Sequence, residues 1–249
     1  MADARRLIPA GAVLLSVAII MTISCAKGPE TINLERPEKG LYIVTDIGEY
    51  KKHVAENPDM ELVDLEKEIE GIVLDIRYAT SNNFTKTVIY PQAKAYLRRP
   101  VAEALRKASD FLKQHNAGFK IYDAYRPYAA TVRFYEVYPD KQFVADPRYG
   151  SRHNRGCAVD LTLVDLKTGK DYPMPTDFDD FSEKAHPSCQ DLPKNARNNR
   201  DFLFQVMAKF GFTHYPTEWW HFDFNGWENY PLMDLSFEQL RQEDESSES

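Results

Sequence analysis

The sequence is poor in the features that mark many metal, nucleotide and nucleic-acid proteins. It has three cysteines in 249 residues, none in a Cys-x-x-Cys pair, which argues against a thiolate zinc site. Cys157 and Cys189 have the number for one disulfide in an oxidising compartment, and the sequence leaves their pairing open. Glycine is scarce, at 11, and no glycine-rich phosphate loop joins a strand to a helix. A helical His-Glu-x-x-His motif is missing. Positive charge is not concentrated either. The formal net charge is −7, so a nucleic-acid partner, which needs a dense basic face, is not expected.

Long apolar runs are also lacking, with one exception. Residues 7–23 follow Arg5 and Arg6 and end at "ISC", the charged and apolar pattern of an export signal, short for a committed membrane span. Cys25 stands where a bacterial lipoprotein signal leaves the cysteine that is lipidated. Plain secretion and an uncleaved anchor are the alternatives, and all three place the rest of the chain in the cell envelope or outside it. Residues 26–40, rich in Pro, Gly and charge, read as a linker. Residues 236–249 end in "RQEDESSES" and read as a disordered acidic tail.

Between these lies one domain, residues 41–235, with enough apolar content (43% of the chain) for a single core. "GIVLDIRYA" alternates as a strand with Ile72, Leu74 and Ile76 on one face. "PVAEALRKASDFLKQHNAG" predicts a helix opened by Pro100 and closed near Gly118, its stripe formed by Val101, Ala104, Leu105, Ala108, Phe111 and Leu112. "FKIYDAY" predicts a strand, residues 128–138 a helix, "NNRDFLFQVMAKFG" a helix stopped by Gly211, and "EWWHFDF" a strand. The order predicts an α+β domain with a mainly antiparallel central sheet flanked by helices.

The stretch "SRHNRGCAVDLTL", residues 151–163, places Asp160 inside an apolar strand, where an unpaired carboxylate would neutralise unless a cation lies beside it. Of six histidines, His53 and His115 read as surface residues and His186 and His214 as structural ones. His153 and His221 each adjoin a carboxylate at a junction of loop and strand. Two imidazoles and one carboxylate are the protein ligands of a catalytic zinc that keeps a position for water. The alternative pairs Asp160 with Arg155 or Arg126 and leaves the histidines to unrelated hydrogen bonds. Alternation in "EWWHFDF" turns His221 away from Trp220 and Phe222. Glu218, three positions before His221, faces the same way only through a turn or bulge.

"SRHNRGCAVDLTL" and "EWWHFDF", with "IRYATSNNFT", "YDAYRP" and "DLKTGKDYPMPTDFDDFSE" in the same order over residues 60–230, resemble the zinc D-alanyl-D-alanine dipeptidases of the vancomycin-resistance type, whose fold is shared with Hedgehog signalling domains. The resemblance implies that His153, Asp160 and His221 bind one Zn2+, that Glu218 is the catalytic carboxylate and that Arg126 stabilises the transition state. It further implies that Tyr78 and Asp179 bind the amino end of a small D-amino-acid dipeptide, with Ser151 near its carboxylate. Cys157 departs from a position that is often serine. A carboxypeptidase acting on longer peptidoglycan peptides, and a non-catalytic zinc-binding module, are the competing readings.

Overall fold

A computed structural model describes residues 40–247; the signal-like segment, Cys25 and all but the last residue of the 26–40 linker lie outside the described residues. In chain order the strands are β1 (Ile43–Val44), β2 (Leu62–Asp64), β3 (Val73–Leu74), β4 (Tyr96–Arg98), β5 (Ala117–Asp123), β6 (Ala158–Asp165), β7 (Phe212–Tyr215), β8 (Glu218–Phe224) and β9 (Leu232–Met233). The helices are α1 (Ile47–Glu56), α2 (Leu65–Glu68), α3 (Arg99–Lys113), α4 (Tyr128–Val137), α5 (Lys194–Lys209) and α6 (Phe237–Ser247). Five strands form the central sheet in the order β3-β5-β6-β8-β7. Within this sheet the β3–β5 pair is parallel, and β5–β6, β6–β8 and β7–β8 are antiparallel. Two smaller ladders, β1 with β9 and β2 with β4, complete the body. This is the α+β, mainly antiparallel architecture that the alternating signals predict.

Every residue of β6 up to Val164 is buried, as a central strand covered on both faces requires. Asp160 pairs with His221 across β6 and β8. Directly opposite residues on antiparallel strands point the same way, so the two side chains meet on one face. Helix α3 buries Val101, Leu105, Ala108 and Leu112, most of the predicted stripe. It starts with Pro in its first turn, where a missing N–H costs nothing. It ends at Lys113, earlier than expected. Asn116, at φ 58°, makes the reversal, and Gly118 already lies in β5. The strand predicted in "GIVLDIRYA" shrinks to β3, after which a 3-10 turn, Arg77–Ala79, carries Tyr78 into the interior.

The acidic tail also needs correction. Residues from Phe237 form α6, and Phe237 and Leu240 are buried. Phe237 packs on Tyr90 and Tyr96 with ring centroids 5.0 and 6.2 Å away. The helix is opened by a reciprocal cap: Ser236 Oγ accepts from the Gln239 amide (3.2 Å) while Gln239 Oε1 accepts from the Ser236 amide (2.9 Å). Ser-x-x-Gln ahead of an apolar anchor is a helix-start signature, here partly masked by the charges that follow. Cys157 and Cys189 are both free thiols.

Candidate active site

The loop before β6 is shaped by one glycine. His153 sits on a 3-10 turn, His153–Arg155, closed by Gly156 at φ 70°. A Cβ at Gly156 would lie 2.5 Å from Leu62 Cδ2 and 3.3 Å from the Arg98 amide, so both the left-handed backbone and the space demand glycine. The turn brings His153 back over Asp160. Glu218 reaches the same place because β7 and β8 change register between His214 and Tyr215, a bulge that overrides simple alternation. Asp160, His153 and His221 are all buried.

Three atoms form a triangle: His153 Nε2 to His221 Nδ1 is 3.1 Å, His221 Nδ1 to Asp160 Oδ1 is 3.0 Å, and His153 Nε2 to Asp160 Oδ1 is 3.4 Å. The other nitrogen of each ring is committed. His153 Nδ1 lies 2.7 Å from the Ala124 carbonyl, and His221 Nε2 lies 3.0 Å from Asp223 Oδ1. A carbonyl and a carboxylate only accept, so each of these nitrogens carries its proton and the facing pair, Nε2 and Nδ1, presents lone pairs. Asp160 Oδ1 is buried and accepts no well-directed hydrogen bond. With both rings neutral, three acceptors at this spacing call for a cation among them, a place that a proton on His221 fills when no metal is bound. Zinc fits, because a tetrahedron with bonds of about 2.0–2.1 Å has edges of about 3.3 Å. The sequence alternative, in which Arg126 or Arg155 satisfies Asp160, is not realised as a contact ion pair: Arg126 Nη2 is 3.9 Å from Asp160 Oδ2, and the Arg155 side chain turns to the Tyr230 carbonyl.

The electrostatics follow from burial and from this crowding. Burial alone would raise the Asp160 pKa, but the two histidines beside it hold it well below the usual carboxylate range. Burial pulls His221 down, and the carboxylates of Asp223 and Asp160 outweigh it, holding His221 well above an ordinary histidine. Glu218, with Oε2 3.8 Å from His221 Nδ1, is pushed up to about 8, mainly by burial and further by Asp160 and Asp179. Asp179 is pushed up to about 7, again by burial and then by Asp160.

Around the triangle runs a narrow cavity of about 60 Å³, lined among others by Tyr78, Arg126, Ser151, Asp179 and Glu218. One water needs about 10–15 Å³ of such space, so the cavity has room for a short ligand. All eight predicted site residues therefore converge. Arg126 donates from Nε (2.9 Å) and Nη2 (2.7 Å) to Asp123 Oδ2, and its guanidinium lies 4.7 Å from the Phe134 ring centroid. Tyr90 donates to the other oxygen of Asp123 at 2.9 Å. Tyr78 donates to Asp179 Oδ1 at 3.0 Å, while Asp179 Oδ2 is buried without a partner. Asp179 has φ 62°, a strained setting for a non-glycine residue. Ser151 Oγ accepts from the His153 amide at 3.2 Å. Sequence reading missed Asp123, which clamps Arg126, and Asp223, which orients His221. Both had a signal, because Asp123 opens the "DAYRP" motif and Asp223 is two positions from His221 on the same strand face.

The raised acids make the metal-free protein pH-sensitive. In the unfolded chain Asp179 and Glu218 ionise near pH 4, whereas folded they hold their protons to about 7 and about 8. Across that window the folded state binds more protons, so stability falls as pH rises, by at most about 1.4 kcal/mol per pH unit for each group. Chelator-treated protein should melt at a higher temperature at pH 5 than at pH 7.5, and Asp179→Asn should flatten part of that slope. A melting temperature that rises with pH over this range would contradict the assignment.

A two-histidine, one-aspartate cluster, held by two strands and the turn before one of them and facing a pocket with a buried glutamate and a clamped arginine, defines a metal-dependent hydrolase. Comparison with known proteins narrows the class. Residues 58–238 match the family model of the D-ala-D-ala dipeptidases, and the chain belongs to that family. The D-alanyl-D-alanine dipeptidase of Escherichia coli (strain K12) is 36% identical over 173 residues, 70% of this chain and 89% of that protein. That of Enterococcus faecium is 30% identical over 178 residues, 64% of this chain and 88% of its own. Among solved structures, VanYB in complex with D-alanine-D-alanine aligns with a TM-score of 0.37 at 14% identity, covering 54% of this chain and 75% of that one. The protein is thus a metallopeptidase of the D-Ala-D-Ala dipeptidase type.

Proposed function

We propose that the protein hydrolyses free D-alanyl-D-alanine with one zinc ion per chain, held by His153 Nε2, His221 Nδ1 and Asp160. Zinc, when bound, supplies Lewis acidity that polarises a carbonyl and makes water a nucleophile near neutral pH. Glu218 accepts the proton of the attacking water and returns it to the departing amine. A pKa near working pH suits a group that must do both. Arg126 donates to the oxygen on which negative charge develops. Its clamp by Asp123 and its packing on Phe134 hold it there without rearrangement during the reaction.

The observation that carries the dipeptide reading is the buried, unpartnered Oδ2 of Asp179. Its other oxygen is fixed by Tyr78, and an orphaned, buried carboxylate oxygen on a residue that lines the pocket suits a free ammonium group. A carboxypeptidase working on longer peptides has no free amine at that position. Ser151, whose hydroxyl proton is not committed by the bond it accepts, donates to the substrate's carboxylate end. Incubation with D-Ala-D-Ala should release D-alanine, stop with chelator and resume with added zinc, while longer peptides ending in D-Ala-D-Ala are cleaved far more slowly. Preference for the longer peptides would replace the dipeptidase with a carboxypeptidase.

A further inference from the structure

The proposed substrate is a zwitterion, and the groups above answer its two ends unequally. Asp179 and Tyr78 meet the ammonium with charge, but Ser151 is neutral. A carboxylate that gives up water on entering a narrow pocket needs a cation beside it. Among the described residues three cations line the cavity: Arg126, Lys141 and Arg152. Arg126 gives two short hydrogen bonds to Asp123, and its remaining donors serve the oxygen at the reacting carbonyl. Lys141 Nζ is 3.0 Å from Asp146 Oδ2, which it shares with Arg148, and its side chain is 56% exposed.

Arg152 differs from both. Its side chain is 37% exposed, but its Nε is buried and makes no hydrogen bond. Its nearest carboxylate oxygen, Asp223 Oδ2, is 3.7 Å away, beyond hydrogen-bond reach, and the other oxygen of Asp223 is taken by His221 Nε2. The guanidinium is held at 4.7 Å from the Trp227 ring centroid and 5.9 Å from that of Tyr215. These aromatic contacts fix its plane without using its N–H donors. Arg152 also follows Ser151 directly in the chain, and both residues line the cavity.

We infer that Arg152 anchors the free carboxylate of the substrate and makes the enzyme selective for peptides that end in an acid. This rests on the dipeptidase reading above. The Asp223 carboxylate keeps the guanidinium near the pocket without saturating it, which leaves the fork of N–H donors for a planar, two-oxygen ligand.

The test compares D-Ala-D-Ala with its C-terminal amide on the zinc-loaded protein, as wild type, Arg152→Gln and Arg152→Lys, with zinc content measured for each. The wild type should favour the acid by about 10-fold to 100-fold in kcat/KM, the range of one charge-assisted hydrogen-bonded contact. In Arg152→Gln this preference should collapse toward unity, chiefly through a raised KM for the acid, at unchanged zinc content. Arg152→Lys, which keeps the charge and loses the fork, should recover part of the preference. If Arg152→Gln lowers acid and amide turnover equally, the residue acts on the loop or on His221 and the inference fails. A wild type that cleaves acid and amide alike overturns the inference and leaves the dipeptidase standing. A wild type that cleaves neither overturns the dipeptidase reading and the inference with it. Where Arg152→Gln does not fold, the acid preference of the wild type and of Arg152→Lys still decides.

Discussion

Glu218→Gln should lower the turnover of D-Ala-D-Ala by about 10²-fold to 10⁴-fold, the usual contribution of a general acid–base group, while retaining the wild-type zinc content. The two effects separate because Glu218 is adjacent to the metal cluster but not one of its three facing atoms. Its Oε2 is 3.8 Å from His221 Nδ1, whereas the triangle edges are 3.0–3.4 Å. Glutamine keeps the shape and cannot take a proton. The loss should therefore fall in kcat with KM little changed, as for an interaction made only in the transition state. Metal analysis and steady-state kinetics on the same sample provide the check. A variant that turns over D-Ala-D-Ala at nearly the wild-type rate would remove Glu218 from the mechanism even with the metal site intact, and loss of zinc in step with activity would make Glu218 a ligand.

His221→Ala should lose both zinc and activity, dropping to the level of chelator-treated wild type. His221 contributes one of the three converging atoms and is itself oriented by Asp223, so no neighbouring group can take its place. The variant also leaves Asp160 buried with one imidazole in place of two. In the metal-free state, where His221 is held protonated by its carboxylate neighbours, breaking that pair should cost on the order of 3–5 kcal/mol. Zinc titration and denaturant melts of metal-free protein measure the two losses independently. Asp223→Asn makes an instructive companion in the same titration, since it removes the negative charge from the acceptor that fixes the His221 tautomer but no ligand, and should weaken zinc binding by only about 10-fold to 100-fold. Full zinc occupancy in His221→Ala would show that the metal lies elsewhere.

Much of the site could be read from the chain because its oddities are local. A carboxylate inside the apolar run of β6 signals a cation, and the Gly156 turn ahead of it says that His153 can return to that cation. The alternation of β8 places His221 opposite the aromatic packing. Glu218 lay at the edge of what alternation can say: it reads on the wrong face, and only the register shift at His214 and Tyr215 corrects it. Tertiary partners were the least legible part. That Tyr90 braces the Asp123 that clamps Arg126, that Tyr78 fixes one oxygen of Asp179 and leaves the other unpartnered, and that Arg152 is held by Trp227 all depend on segments far apart in sequence. The ends of elements failed for a different reason. Asn116 took the left-handed turn expected nearer Gly118, and α6 was hidden because charged residues beyond Leu240 outweigh two buried anchors and a cap in any compositional reading.

The central claim is that His153, Asp160 and His221 together hold the catalytic zinc, and anomalous scattering from crystals at the zinc absorption edge tests it most directly. One strong peak should lie within about 2.0–2.3 Å of His153 Nε2, His221 Nδ1 and an oxygen of Asp160, facing Glu218 across the cavity. A peak bound by other side chains, or fully occupied crystals with no peak among these three, would contradict it.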